Sequence, residues 1–298
     1  DRTRHAKITA MRPTPPASSF RTVALLMLIP IAGILLFFLW GFAHQLVPQR
    51  APVAAAPIAR TTKAPVATAS IVPPPERKRG GDIVLILDDV GFDHQPLPAA
   101  MTIDPNVNFA VLPNGNKTTE FAAELHAHGF ELLCHLPMEP EGFPRISPGA
   151  GAVLTSMPDE EIARLTRTNI ETIPFARGVN NHMGSRATAD RRVMKDVLSA
   201  LPHGMYFIDS KTTGSSVAGS LARTMRVRTA SRNVFLDDVQ SEAAIRKQLA
   251  ELTRTAASRG VAVGIGHMYP STIRVLTDEA PQLRAAGFRF IRASEAVE

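Results

Sequence analysis

Short apolar runs alternate with helix-like stretches over residues 82–298, and this alternation restricts the fold more than any other feature of the chain. The runs are brief and rich in β-branched residues, as buried strands are, and Ile83-Val84-Leu85-Ile86-Leu87 is the clearest of them. Strands that alternate with helices are typical of a parallel α/β sheet or barrel. We predict about seven strands, at residues 83–87, 108–112, 131–134, 205–208, 233–236, 261–265 and 288–291, and helices at 119–128, 159–172, 190–201 and 242–259. This pattern predicts one barrel-like domain.

A second constraint lies upstream, in a run of 21 residues (23–43) that carries no charge. As a helix it would be about 31 Å long, enough to cross the hydrocarbon core of a bilayer. Residues 1–22 form a basic tail with five Arg or Lys and one acid. The positive-inside rule therefore predicts a single-pass inner-membrane protein with a cytoplasmic N-terminus and a periplasmic folded domain. Cleavage of this run as a signal peptide is the alternative, and it also exports the domain.

Residues 44–81 form a linker that contains seven prolines and eight alanines and shows no hydrophobic periodicity. The net charge of the chain is +6, but the basic tail carries +4 and the linker +5, which leaves −3 for residues 82–298. The basic character thus belongs to the tail and the linker. We therefore expect no nucleic-acid partner. The only cysteine, Cys134, excludes an intramolecular disulfide and is expected to be a buried strand residue.

Polar clusters follow nearly every predicted strand. In parallel α/β folds, functional groups gather at the carboxyl ends of the strands, so these clusters should meet on one rim. Carboxylates and imidazoles together are ligands that suit zinc or a similar divalent ion. Because successive strand side chains alternate in direction, we expect one of the adjacent Asp88 and Asp89 to bind metal and the other to transfer protons. The clusters are Asp88-Asp89, His135 to Glu139, Asp209-Ser210, Asp237-Asp238 and Gly266-His267, with a predicted loop at residues 180–185.

Five of these stretches, in this order, resemble the divergent branch of the polysaccharide deacetylases. They are ILDDVG (86–91), CHLPMEP (134–140), NNHMGS (180–185), FIDS (207–210) and GIGHMYP (264–270). The resemblance covers residues 82–298 and neither the tail nor the linker. It implies a distorted (β/α) barrel, usually of seven strands, and metal-dependent hydrolysis of N-acetyl groups.

The resemblance also implies roles for individual residues. In the orthodox enzymes the first member of the Asp-Asp pair is the base and the second binds metal, which gives Asp88 and Asp89 here. His135 matches the first of two ligand histidines, but Glu139 stands where the second is expected. Three readings stay open: Glu139 binds the metal, His182 replaces the missing imidazole, or the metal is lost. We expect Asp89, His135 and His182 as ligands, with Glu139 as a further candidate.

The remaining matches concern proton transfer and substrate. Asp209 resembles an acid that orients its neighbours, and His267 resembles the histidine that protonates the leaving amine. Asp237 and Asp238 are read either as part of the cleft or as a helix cap. The amides and hydroxyl of Asn180, Asn181 and Ser185 suit sugar hydroxyls or an acetamide, so we expect them to bind substrate.

These observations predict a metal-dependent deacetylase of an envelope polysaccharide, either peptidoglycan or an exopolysaccharide, with zinc as the expected cofactor. Protein partners and oligomeric state are not indicated. The principal alternative is an inactive barrel that serves as a glycan-binding or protein-docking module, which the Glu139 substitution favours. A third reading is hydrolysis of a different acyl bond, such as an ester.

Overall fold

The computed structural model describes residues 80–298. The predicted basic tail, the predicted membrane span at 23–43 and all but the end of the linker lie outside these described residues. Within residues 80–298, no helix combines the length and the apolar character needed to cross a membrane.

The described domain is built on one parallel sheet. Eight strands follow one another in the order β6-β5-β4-β3-β2-β1-β8-β7, and a ninth, β9, pairs with the first part of β1. Every pairing between these strands is parallel. The strands are β1 (Gly81–Val90), β2 (Asn108–Val111), β3 (Glu131–Met138), β4 (Ala176–Met183), β5 (Tyr206–Asp209), β6 (Thr229–Ser231), β7 (Val234–Phe235), β8 (Val261–His267) and β9 (Phe288–Phe290).

Helices occupy most of the connections between strands. Helix α4 (Arg191–Ser199) begins after Asp190, whose carboxylate accepts hydrogen bonds from the N–H groups of Arg192 and Val193. Helix α6 (Glu242–Arg259) ends at Gly260, which has a positive φ of 85°. The helices of residues 80–298 are α1 (Leu97–Ala100), α2 (Thr118–Ala127), α3 (Asp159–Glu171), α4 (Arg191–Ser199), α5 (Ala218–Thr224), α6 (Glu242–Arg259), α7 (Pro270–Ala285) and α8 (Ala293–Ala296).

The two ends of the strand order are close together in space. Strands β6 and β7 lie at opposite ends of that order, yet only Arg232 and Asn233 separate them along the chain. Two residues can span no more than about 11 Å between the flanking Cα atoms, so the sheet must curl round on itself. Among residues 80–298, no backbone pairing joins β6 to β7. The fold is therefore a curled parallel α/β half-barrel whose wall has one unpaired seam.

Alternation along β1 shows how the core is divided. Ile83, Leu85 and Leu87 belong to the large apolar cluster that includes the helices, whereas Val84 and Ile86 belong to a smaller cluster inside the curl of the sheet. Both faces of the strand are thus buried, which explains its uninterrupted apolar sequence. Cys134 is fully buried in β3, and burial raises the pKa of its thiol.

The predicted parallel barrel is confirmed in outline, but the expected number of about seven strands is wrong. The additional strands are β4 and β6. Residues 180–183, which we expected in a loop, form the carboxyl-terminal half of β4. That segment contains Asn180, Asn181 and His182, which have low strand propensity, and its pairing with β3 and β5 overrides this local preference.

Candidate metal centre and active site

Three side chains converge at the carboxyl ends of β1, β3 and β4. Nε2 of His135 lies 3.2 Å from Oδ1 of Asp89, and Nδ1 of His182 lies 2.9 Å from the same oxygen. The two imidazole nitrogens are 3.2 Å apart. The structure thus brings together Asp89, His135 and His182, three of the four predicted ligands.

This arrangement fits a divalent metal ion. Ligand atoms 2.0–2.1 Å from a tetrahedral ion lie about 3.3 Å from one another, close to the three separations found here. Oδ1 of Asp89 is buried and, among the described residues, makes no hydrogen bond of acceptable geometry. Although burial raises its pKa, the contacts with His135 and His182 hold the pKa of Asp89 below its usual range. A cation placed between this anionic oxygen and the two imidazole nitrogens would satisfy all three atoms, and one carboxylate with two histidines is a donor set that zinc accepts.

Asn180, on β4, forms hydrogen bonds with two residues of the site, His135 and Asp88. Nδ1 of His135 lies 2.9 Å from Oδ1 of Asn180 and donates a hydrogen bond to it. In the neutral imidazole the lone pair is therefore on Nε2, which faces Asp89 and His182. Nδ2 of Asn180 donates to Oδ1 of Asp88 at 2.8 Å. One amide therefore fixes both the tautomer of His135 and the orientation of Asp88.

The two adjacent aspartates reach the same histidine, contrary to the prediction that they point apart. Oδ2 of Asp88 is 3.6 Å from Nε2 of His135, which Asp89 also approaches. The register of β1 against β2 shifts between Leu87 and Val90, and Asp89 has a φ of +60°. An extra residue at this bulge and a left-handed backbone turn redirect the second carboxylate toward the rim.

The end of β1 is held in this unusual conformation by Gln95. Its Nε2 donates to the backbone oxygen of Asp89 at 2.6 Å, and its Oε1 accepts from the N–H groups of Gly91 and Phe92 at 2.9 and 3.1 Å. These bonds provide partners for a stretch of backbone that has left the sheet.

Asp88 is almost completely buried beside the three converging side chains, with 2% of its surface exposed. Burial raises the pKa of Asp88 above its usual range, and the charges of His135 and His267 offset only part of this rise. A carboxylate with a raised pKa is a better proton acceptor near neutral pH.

His267 ends β8, where it is in register with Asp88 on β1. Its Nδ1 lies 2.8 Å from Oδ1 of Asp237, and Oδ2 of Asp237 accepts from the backbone N–H of His267 at 2.6 Å and from Oγ1 of Thr272 at 2.7 Å. Burial alone lowers the pKa of His267, but the bond to Asp237 and the charges of Asp237, Asp88 and Asp89 raise it to about 9. The other ring nitrogen of His267 is left to act as a proton donor.

Glu139 lies apart from the three converging donors. Its Oε1 accepts from Nη1 of Arg186 at 2.7 Å, and its Oε2 accepts from the N–H and Oγ1 of Thr155 at 2.6 and 2.7 Å. Although burial raises the pKa of Glu139, these bonds lower it overall. The carboxylate that replaces the expected second histidine thus ties the end of β3 to two neighbouring loops.

The remaining predicted site residues make internal contacts. Oδ1 of Asp209 accepts from the N–H of Lys211, and its Oδ2 accepts from Oγ of Ser216 and the N–H of Gly219, so this carboxylate shapes the loop after β5. Asn181 is buried, accepting from the N–H of Ser210 and donating to the oxygen of Met183.

Ser185 accepts from the N–H of Glu141. The amides of Asn180 and Asn181 make hydrogen bonds inside the protein, so both residues position their neighbours. Contact of Asn180, Asn181 and Ser185 with substrate stays a prediction.

A cleft of about 520 Å³ lies next to the converging donors, and Asp89 and His182 are among the residues that line it. Its walls include Phe92, Pro148 and Tyr269. The site residues whose roles the sequence did not assign are Asn180, as a bridge between two functional groups, Asp237, as the partner of His267, and Gln95. Asp237 directly follows a predicted strand, and from this position alone a role in the cleft and a role as helix cap were equally plausible. In the structure the cap of α6 is Ser241.

Comparison with known proteins finds relatives that are themselves uncharacterized. The chain is 35% identical over 197 residues to the uncharacterized protein YibQ of Escherichia coli (strain K12), which covers 66% of this chain and 61% of that protein. An uncharacterized protein of Haemophilus influenzae is 32% identical over 195 residues, covering 65% of this chain and 69% of that one. The chain thus spans less than two thirds of the length of the E. coli relative.

A solved structure and a family model extend the comparison. The crystal structure of an uncharacterized protein from Agrobacterium tumefaciens C58 has the same fold, with a TM-score of 0.66 at 23% identity, and the match covers 74% of this chain and 90% of that one. The model of the divergent polysaccharide deacetylases matches residues 85–297, which include every residue of the site described above. The chain therefore belongs to the divergent polysaccharide deacetylase family.

Proposed function

We propose that this protein is a metal-dependent hydrolase that removes acetyl groups from an envelope polysaccharide, either peptidoglycan or an exopolysaccharide. The observation that carries the proposal is the convergence of Asp89, His135 and His182 around one point, with all three donor atoms within 3.2 Å of one another. Membership of a polysaccharide deacetylase family supports the acetylated glycan as substrate.

The residues around that point divide the chemistry among them. A divalent ion such as zinc, held by Asp89, His135 and His182, would polarise the acetyl carbonyl and lower the pKa of a water molecule. Asp88, buried and oriented by Asn180, accepts the proton of the attacking water. His267, protonated and oriented by Asp237, donates a proton to the departing amine.

The alternative of an inactive glycan-binding or protein-docking module drew its support from Glu139 in place of a ligand histidine. That support weakens here, because Glu139 is engaged with Arg186 and Thr155 while His182 supplies a nitrogen donor beside Asp89. Esters remain a second class of acyl substrate, since the same groups would attack any accessible acyl carbon.

Metal content tests the ligand set. We would purify residues 72–298, which form one compact unit, and measure bound metals by elemental analysis after zinc supplementation. We expect about one ion per chain in the native sequence and in the control Glu139→Gln, and a large loss in His135→Ala and His182→Ala. Absence of metal from the native protein, or loss only in the Glu139 variant, would overturn the assignment.

Turnover tests the proton-transfer roles. Asp88→Asn and His267→Gln should keep the metal and lose about 10²- to 10⁴-fold in kcat on acetylated glycan oligomers, the range for removal of a general base or acid. Release of acetate is measured in parallel on an acetyl ester of similar size. Metal loss with retained turnover would refute the roles, and ester hydrolysis alone would change the substrate class.

We further propose that residues 23–43 anchor the protein in the inner membrane and that residues 44–81 hold the catalytic domain on the periplasmic side. The uncharged run and the basic residues before it support this orientation. A reporter that is active only outside the cytoplasm should be active when fused after residue 80 and inactive when fused after residue 22. The opposite pattern would exclude the orientation.

A further inference from the structure

Phe92 is a large apolar side chain exposed beside the proposed metal centre. It is 45% exposed and lines the same cleft as Asp89, His182 and Tyr269. Single exposed apolar residues are common on protein surfaces and need no explanation by themselves. Phe92 differs from an isolated surface residue because it lines a cleft that also contains a second aromatic residue and two of the proposed ligands.

The backbone that carries Phe92 is fixed relative to the metal centre. Gln95 accepts from the N–H of Phe92 with the same side chain that donates to the backbone oxygen of Asp89. These hydrogen bonds of Gln95 fix the backbone of Phe92 relative to Asp89, which is a predicted ligand. A loop whose backbone is already ordered loses less conformational entropy when one of its side chains binds a partner, which favours a role in recognition.

The charge of the cleft restricts what can bind there. Among residues 80–298, its lining contains no lysine or arginine, and its ionisable members are Asp89, His182 and Tyr269. Three prolines, at 113, 137 and 148, supply much of the remaining wall. The lining thus offers an anionic sugar no lysine or arginine, and positive charge is confined to the proposed metal centre. An uncharged ring with one apolar face would match the rest of the wall.

We propose that Phe92, which lines the same cleft as Tyr269, stacks on the apolar C–H face of an uncharged pyranose ring in the glycan chain bound at the metal centre. This inference deepens the proposed function and rests on it. It makes Phe92 a residue that determines how tightly neutral N-acetylated glycans bind, separate from the groups that hold the metal or move protons.

The test uses the full chain, purified in detergent and loaded with zinc. Affinity for oligomers of N-acetylglucosamine, two to six sugars long, is measured by calorimetry, and acetate release is measured on the same oligomers. Phe92→Ala should weaken binding and raise KM by about five- to tenfold, as expected for the loss of one stacked ring, while zinc content stays the same. Phe92→Trp should restore binding.

A matched control is Phe175→Ala, because Phe175 is 49% exposed but lines a different pocket with His126 and Arg177. It should bind oligomers as the native protein does. Equal affinity of the native and Phe92→Ala proteins, or tighter binding of carboxylated glycans than of neutral ones, would overturn the inference. Binding that depends on Phe92 without any acetate release would overturn the proposed function alone, and no binding at all would overturn both.

Discussion

Asn180 joins the two halves of the site through one side chain. Its oxygen accepts a hydrogen bond from Nδ1 of His135, and its nitrogen donates one to Asp88. Asn180 therefore supports both a predicted ligand and the predicted base. Residues that orient a metal-binding histidine in this way commonly change metal affinity by 10- to 100-fold when they are replaced.

Replacement of Asn180 by alanine should weaken zinc binding by about 10- to 100-fold, because the imidazole of His135 is then free to rotate and change tautomer. Competition with a metal-binding dye measures the affinity. Asn108→Ala is the control, since Asn108 is also fully buried but binds Leu85 and Ala293 away from the site. Equal effects of the two variants on zinc affinity would reduce Asn180 to a general packing role.

The raised pKa of His267 makes a prediction about the stability of the metal-free protein. In an unfolded chain the pKa of histidine is about 6.5, whereas here it is raised to about 9, so the folded state holds this proton more tightly. The resulting stabilisation, of order 1–3 kcal/mol, is fully present below pH ~6.5 and is lost as the pH rises through ~9.

Urea denaturation of the native protein and of His267→Gln, at several pH values from 6 to 9.5, measures this contribution. The difference in the free energy of unfolding should shrink as the pH rises, and Asp237→Asn should remove most of the pH dependence. A constant difference would show that the proton on His267 is not linked to folding.

Some site residues could be predicted from the sequence and others could not. Asp88, Asp89, His135 and His267 directly follow or end apolar strand runs, so their placement on one rim follows from chain topology. The partners of a polar side chain depend on contacts between strands distant in sequence, and the chain alone does not show them. For this reason the internal hydrogen bonds of Asn180 and Asn181 were not foreseen, and neither was the pairing of Glu139 with Arg186.

At the scale of elements, β4 was the least predictable strand. Its sequence, ARGVNNHM, lacks the apolar run that identified β1, because several of its side chains serve the site or pack closely on β5. Residues at functional sites commonly have a low propensity for the secondary structure in which they lie, because they are needed for the site. The central apolar strands β1 and β8 were identified because both of their faces are buried in the core.

Gly178 provides a test of how β4 is packed. A Cβ atom on Gly178 would overlap the ring of Tyr206 on β5, whose hydroxyl donates to the buried Glu131. Gly178→Ala should therefore destabilise the domain by about 1–3 kcal/mol, as overpacking of a core does. Gly214→Ala, where nothing lies within 4 Å of the added atom, should change the free energy of unfolding by less than about 0.5 kcal/mol. Equal denaturation midpoints for the two variants would contradict this packing.

At the scale of the whole molecule, the strand order separates binding from proton delivery. The three converging donors are on β1, β3 and β4, in the continuous middle of the sheet, whereas His267 is on β8 and Asp237 follows β7 at one end. This distribution arises because the strands follow one another in chain order round the curl. They run from β1 to β6 and then, across the seam, through β7 to β8 beside β1, so groups from distant parts of the sequence meet at one rim.

Pairing of β9 with the start of β1 fixes where an independent domain can begin. Gly81, Asp82 and Ile83 pair with β9, and Asp82 also forms two hydrogen bonds with Arg289. A chain starting at residue 72 should therefore unfold at the same urea concentration as the full chain, while one starting at residue 85 should unfold at a clearly lower concentration. Equal midpoints for the two shortened chains would show that this pairing contributes little.

The unpaired seam between β6 and β7 has a consequence for motion. Arg232 bridges it by donating to the backbone oxygens of Ser210 and Lys211 and by placing its guanidinium 3.7 Å from the centre of the Phe235 ring. Contacts made by one side chain cost less free energy to break than a series of backbone hydrogen bonds between strands. Transient opening of the native state should therefore begin at this seam and extend first into β7 and β8. Thermal fluctuation would then disturb the Asp237–His267 pair while the strands that carry the three proposed ligands stay closed. The proposed proton donor would therefore lose its geometry before the proposed metal site does.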